Sequence, residues 1–227
     1  MTGERRSFSF TAGGQRLHGD LTLPADARGL VLFAHGSGSS RFSPRNRRVA
    51  EVLNEAGFAT CLVDLLSEAE ERLDRATGQL RFDVRLLAGR VRAASEQLAA
   101  DPATRALPLG YFGASTGAAA ALLAAAALPE RVGAVVSRGG RPDLAAAELP
   151  RVRAPTLLIV GGLDTYVLSL NREALELLPG EKALEVIPGA SHLFEEPGAL
   201  ERVAELARAW FERHLLGRPG SLASAAA

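Results

Sequence analysis

Leu107 to Leu128 reads LPLGYFGASTGAAAALLAAAAL, and the fold turns on how that stretch is parsed. Leu107 to Phe112 is a short apolar run, the length of a strand buried on both faces. Ser115 to Leu128 reads as an alanine-rich helix that Pro129 stops. Between them lies Gly113-Ala114-Ser115-Thr116-Gly117, a G-x-S-x-G pentapeptide. A strand that passes into a helix through so few residues must turn sharply, which lifts the central hydroxyl above the sheet. Gly113 and Gly117 suit such a turn because it leaves no room for larger side chains. The competing reading is a glycine-rich turn in which Ser115 merely caps the helix.

Working outward, strand and helix signals alternate. Ser7 to Phe10 and Leu17 to Leu23 form an opening hairpin with polar Thr11 to Arg16 between them. Leu30 to Ala34 is a buried strand, Asn46 to Ala56 a helix, and Ala59 to Val63 a strand. A charged excursion, Asp64 to Arg81, reads as a solvated loop, with a movable rim as the alternative; a helix follows from Phe82 to Ala100. Beyond the pentapeptide come strand Val132 to Ser137, one helical turn near Ala145 to Glu148, strand Thr156 to Val160 and helix Leu168 to Leu178. Strand Ala183 to Ile187 and helix Leu200 to His214 complete the pattern. This alternation predicts an α/β fold with a mostly parallel central sheet and helices on both faces. Ligands then bind beyond the carboxyl ends of the strands.

The chain has 227 residues, 47% hydrophobic and 23% charged, with Lys+Arg and Asp+Glu equal at 26. That length suits one domain, taken as residues 1–216, while GRPGSLASAAA at 217–227 reads as a disordered tail. A neutral charge balance offers no field for phosphate backbones or anionic lipid, so neither nucleic acid nor membrane is an expected partner. No apolar run approaches the ~20 residues of a membrane span, and the amino terminus lacks a secretory pattern, so a cytoplasmic location is expected. The sole cysteine, Cys61, lies in a strand and reads as core. Metal-ligand spacings and the G-x-x-x-x-G-K-[ST] phosphate loop are absent from the sequence, so no cofactor and no metal is expected.

A serine hydroxyl becomes a useful nucleophile when a base takes its proton. Of the four histidines, His192 follows the Ala183 to Ile187 strand and stands at a carboxyl strand end. His18 lies inside a strand and His214 on the last helix. His35 sits in a glycine turn that it is expected to hold. The base needs a carboxylate to orient it. Asp164 follows Gly161-Gly162-Leu163 at the same edge; Asp143 is the alternative and Asp64 a third. The order Ser115, Asp164, His192 favours Asp164. Acyl transfer also needs donors at the oxygen that becomes negative. The backbone N–H groups of Thr116 and of Ser37, in His35-Gly36-Ser37-Gly38-Ser39-Ser40, are the candidates.

Leu30 to Ser40 (LVLFAHGSGSS), Gly113 to Gly117 (GASTG), Gly161 to Asp164 (GGLD) and Pro188 to His192 (PGASH) together resemble an α/β hydrolase of the dienelactone-hydrolase-like group. The resemblance runs from about Leu17 to His214. It implies an α/β-hydrolase fold without a large lid domain, a compact cofactor-free serine esterase, and the three residues above as its triad. Two departures stand out. Dienelactone hydrolases proper use a cysteine nucleophile where Ser115 stands, and their glutamate near the nucleophile has no counterpart in His35 to Ser40. A small to medium carboxylic ester is therefore the expected substrate. Lactone, thioester or phosphotriester hydrolysis, acyl transfer to an alcohol, and a non-enzymatic binding module remain alternatives. Gly36, Arg41, Phe42, Arg138, Tyr166 and Leu168 are candidate pocket residues. An arginine there could grip a substrate carboxylate, or could equally be a surface charge or structural ion pair. A homodimer is left open.

Overall fold

Two glycines set the first feature. In the computed structural model, which describes residues 3–217, Gly13 and Gly14 take φ of +56° and +74°. This two-residue turn joins β1 (Glu4–Ala12) to β2 (Gln15–Leu23), as left-handed pairs do in tight hairpins. The strands therefore reach into the Thr11 to Arg16 segment expected to lie between them, leaving only the two glycines as the turn.

The remaining strands are β3 (Gly29–Ala34), β4 (Phe58–Val63), β5 (Leu109–Ala114), β6 (Val132–Arg138), β7 (Thr156–Gly161) and β8 (Lys182–Ile187). They form one eight-stranded sheet in the order β1-β2-β4-β3-β5-β6-β7-β8. The β1–β2 and β2–β4 pairs are antiparallel and every other pair is parallel. β3, β4, β5 and β7 are buried along their whole length, as strands covered on both faces should be.

Helices α1 (Pro44–Glu55) and α6 (Ala199–Phe211) cover one face, joining Val49, Leu53, Val203 and Phe211 to Val31, Phe33 and Phe112 of the sheet. The other face carries α3 (Val84–Ala100), α4 (Thr116–Ala127) and α5 (Thr165–Leu177), with Val91, Leu98, Leu122 and Ala174 packed on Leu32, Tyr111 and Leu158. α4 is buried on nearly all sides. Its alanines let it lie close to both the sheet and α3.

Two expectations need correction. The Asp64 to Arg81 excursion is no solvated loop but contains α2 (Glu68–Thr77), begun by a reciprocal capping box between Ser67 and Glu70 and closed by left-handed Gly78. The turn expected near Ala145 to Glu148 is a longer 3-10 segment, Pro142–Arg151, started by proline at its first turn. The tail at 218–227 lies outside the described residues. The connection from β6 to β7 holds that 3-10 segment and no lid domain. No helix among the described residues is long and apolar enough to cross a membrane.

The sheet order also says where chemistry should sit. The chain leaves β3 toward β4 on one side, then returns to place β5 on the other. The carboxyl ends of β3 and β5 thus flank the point where the winding reverses, the usual ligand crevice of open α/β sheets. The His35 to Ser40 loop and Ser115 follow those two strands.

Candidate active site

Ser115 sits between β5 and α4 with φ 50° and ψ −120°, a conformation that costs a side-chain-bearing residue about 1–3 kcal/mol. The surrounding packing imposes it. A Cβ on Gly113 would collide with the Ala118 backbone, and one on Gly117 with the carbonyl oxygens of Ala34 and His35. The Ser115 N–H donates to the Arg138 carbonyl at 3.1 Å, and the Arg141 N–H donates to the Ser115 carbonyl at 3.1 Å. The hydroxyl does not cap α4, so the simple capping role is not realised.

The loop after β3 is held by His35. Its Nδ1 lies 2.9 Å from the Gly36 carbonyl, and Nε2 accepts the Leu65 N–H at 3.1 Å. One nitrogen donating and the other accepting defines a neutral ring. Burial lowers its pKa and reinforces that state. Gly36 lies against the candidate nucleophile: a Cβ there would come within 3.0 Å of the Ser115 Cβ. The Ser37 and Thr116 hydroxyls share a hydrogen bond of 3.0 Å, so the two candidate oxyanion residues are neighbours.

His192, after β8, has Nδ1 at 2.6 Å from Asp164 Oδ2. Asp143 is engaged instead by both Nε and Nη2 of Arg141, at 2.8 and 2.7 Å, and Asp64 by Arg41. Of the three candidate acids, Asp164 alone reaches the imidazole. The ring also lies near the end of β6, the strand paired with β5. His192 Cε1 is 3.5 Å from where a Gly139 Cβ would be, one residue after the carbonyl that takes the Ser115 N–H. Beyond the Asp164 contact, neither the Ser115 hydroxyl nor the His192 ring is engaged by another described side chain. Of the other histidines, His18 is exposed on β2, and His214 is buried with its ring 4.3 Å from that of Trp210.

The pocket candidates divide. Gly36 abuts Ser115 as described, and Phe42 is 53% exposed on the wall of a 360 Å³ cavity beside the His35 to Ser40 loop. Arg41 is held in ion pairs with Asp20 and Asp64, the structural role that the sequence left open. Arg138 is a clear correction. It is 7% exposed, hydrogen-bonded to Asn46 on α1, with its guanidinium 6.0 Å from the Phe194 ring, and burial followed by nearby Arg45 pulls its pKa down to about 10. Leu168 is core, packed with Val160 and Val167. Tyr166 is 65% exposed beside Arg141, away from that cavity's wall.

Sequence reading missed two supports. Glu196 accepts the Ser191 N–H at 3.0 Å, pinning the loop that carries His192, and that bond holds its carboxyl below the usual range. Buried Asn171 donates to the Gly140 carbonyl at 2.9 Å and steadies the turn after β6. Neither belongs to a recognisable motif. Cys61 is buried in β4, where desolvation pushes its thiol pKa up. Among the described residues, no group of three or more His, Cys, Asp or Glu is arranged to hold a metal ion.

Comparison with known proteins agrees with this geometry at the level of fold and family. The esterase Est1E from Butyrivibrio proteoclasticus superposes with a TM-score of 0.77 at 16% identity, covering 93% of this chain and 99% of that one, and shares the α/β-hydrolase fold. Two Mycobacterium tuberculosis proteins, provisionally named phosphoribosyl transferases, are 60% identical over 209 residues, covering 92% of this chain but 46% of their own length. The chain thus spans about half the length of the curated relatives it matches. A dienelactone hydrolase from Anabaena variabilis superposes with a TM-score of 0.92 at 58% identity, covering 95% of this chain and all of that one. With residues 18–215 also matching the family model, the chain belongs to the dienelactone hydrolase family.

Proposed function

We propose that this chain hydrolyses small to medium carboxylic esters through an acyl-enzyme on Ser115. His192 Nε2 takes the hydroxyl proton as Ser115 Oγ attacks the ester carbonyl carbon. Asp164 holds the Nδ1 proton, fixes the tautomer and stabilises the imidazolium. The carbonyl oxygen becomes negative and accepts the Ser37 and Thr116 N–H groups; each such donor is typically worth about 2.7–4 kcal/mol in the transition state. The C–O bond then breaks, and His192 returns its proton to the departing alcohol. Water, deprotonated by the same nitrogen, attacks the acyl-enzyme, releases the acid and restores Ser115.

The observation that carries this reading is the Ser115 backbone. A residue kept at φ 50° by glycines on both sides, with a hydroxyl that caps nothing, is strain without a structural use. The Asp164–His192 bond supports the same reading. The transferase name of the curated relatives belongs to proteins twice as long, whose matching half corresponds to the hydrolase family region. The family match supports hydrolysis for the region shared with this chain.

The test is direct. A fluorophosphonate probe should label the chain, and Ser115→Ala should abolish labelling while lowering p-nitrophenyl ester turnover by about 10³-fold or more. Intact labelling of Ser115→Ala would refute the assignment.

A further inference from the structure

The 360 Å³ cavity beside the His35 to Ser40 loop falls in the size range of small-molecule sites. Ser37 and Thr116 lie on its wall, so whatever fills it sits beside the two residues proposed to supply the oxyanion donors. Leu65, Leu66 and Leu87 supply an apolar surface, and α2 adds Glu71, Asp74 and Arg75 to the wall.

Those charged groups differ in how far they are already committed. Asp74 is nearly buried and takes the Arg81 Nε at 2.6 Å and the N–H groups of Leu80 and Arg81 at 2.7 and 3.0 Å. Burial works against its ionisation, but those bonds outweigh it and hold its carboxyl below the usual range. Glu70 is fixed by the Ser67 N–H and by buried Arg90, at 2.8 and 2.7 Å. Glu71, between these two anchors, has no side-chain hydrogen bond or contact ion pair among the described residues. Arg75, one turn on, is exposed and interacts with it only at longer range. The helix therefore holds an uncommitted carboxylate at the cavity wall.

We infer that this cavity selects esters whose acyl part carries a cationic nitrogen, with Glu71 as its counter-ion. This deepens the esterase reading and rests on it. An unpaired, partly desolvated carboxylate gains more from a cation than one in open water. Burial, then Asp64 and Glu68, raise the Glu71 pKa, while Arg75 and Arg41 oppose the rise. On the wall Arg81 is taken by Asp74, while Arg75, in no contact ion pair, is exposed, so water weakens its charge more than that of half-buried Glu71. Arg41, off the wall, is taken by Asp64 and Asp20.

The test compares p-nitrophenyl esters of matched shape: 4-(trimethylammonio)butyrate, its carbon isostere 5,5-dimethylhexanoate, and hemiglutarate. The expected kcat/KM ratio of cationic to neutral ester is about tenfold, with hemiglutarate slowest. In Glu71→Gln the ratio should fall to near one, whereas Glu68→Gln, altered on the same helix, should keep it. Each ratio is taken within one preparation, so partial misfolding of a variant cancels. Equal rates for the cationic and neutral esters would overturn the inference while leaving the esterase reading standing, provided turnover requires Ser115. So would faster hemiglutarate turnover, or an equal collapse in Glu68→Gln. No Ser115-dependent turnover of any ester would overturn the esterase reading, and this inference with it.

Discussion

Ser37 and Thr116, 79 positions apart in the chain, join their hydroxyls in one hydrogen bond of 3.0 Å. The bond ties the loop after β3 to the first residue of α4 and so sets the spacing of the two backbone N–H groups proposed to receive the oxyanion. Thr116→Val keeps the side-chain shape and removes the bond. A net hydrogen bond is worth about 0.5–1.5 kcal/mol, so kcat should fall about three- to tenfold with little change in KM. Steady-state kinetics on one p-nitrophenyl ester would check this; an unchanged kcat would mean that the loop is held without it.

The acid is separable from its neighbour by the same kinetics. Asp164→Asn should lower kcat by about 10⁴-fold, since the amide favours the wrong imidazole tautomer. Asp143→Asn should stay within about threefold, because its carboxylate faces Arg141. The reverse order would move the acid to the end of β6.

Gly117→Ala tests the elbow by sterics alone. Its new methyl meets two carbonyl oxygens of the β3 edge, which cannot retreat without breaking the sheet. The expected loss is about 2–4 kcal/mol, in the range of large single-site effects. In a thermal melt this is roughly 4–16 °C for a chain of this size. A melt within a degree of the parent would contradict the close approach.

Arg138 is a buried guanidinium whose Nε and Nη1 have no hydrogen-bond partner in the structure. Removing a buried charge that has no ion-pair partner ends its desolvation cost, and the only bond lost is the long 3.3 Å one to Asn46. Arg138→Met should therefore keep the melting temperature or raise it, and should leave the KM for anionic esters unchanged. A selective rise in that KM would restore Arg138 as a substrate contact.

His35 makes stability depend on pH. Burial lowers its pKa below the ordinary 6.5, so the unfolded chain binds that proton more readily than the folded one. Its contribution is complete above the ordinary histidine value and is lost as pH falls from there toward the lowered folded value. Thermal melts from about pH 7 to 5 should show a shallower decline for His35→Gln than for the parent.

The fold is legible in the sequence where a residue type admits few alternatives. Gly113 and Gly117 around Ser115 mark a turn that larger side chains cannot make, and the apolar runs of β3, β5 and β7 can only be strands covered on both faces. The candidate acid, Asp164, is legible from chain order, and its bond to His192 agrees with that choice. The α2 rim is not, because its one large apolar residue, Leu73, is 57% exposed and leaves no hydrophobic period. The Ser67 to Glu70 capping box and Gly78 are its only signals. The pocket arginines are ambiguous for another reason. Arg41 and Arg138 follow strands on the right edge, but their roles depend on Asp64, Asp20 and Asn46, partners that lie far away in the sequence.

Asp74 binds two backbone amides and a guanidinium at the end of α2, so this part of the cavity wall is set before any ligand arrives. Guests of the fitting shape need not first organise a mobile flap, and each encounter surrenders little chain entropy. Guests of the wrong shape cannot persuade the wall to move aside. A receptor stiffened in this way should gain discrimination at the expense of breadth, with closely related compounds differing sharply in their rates.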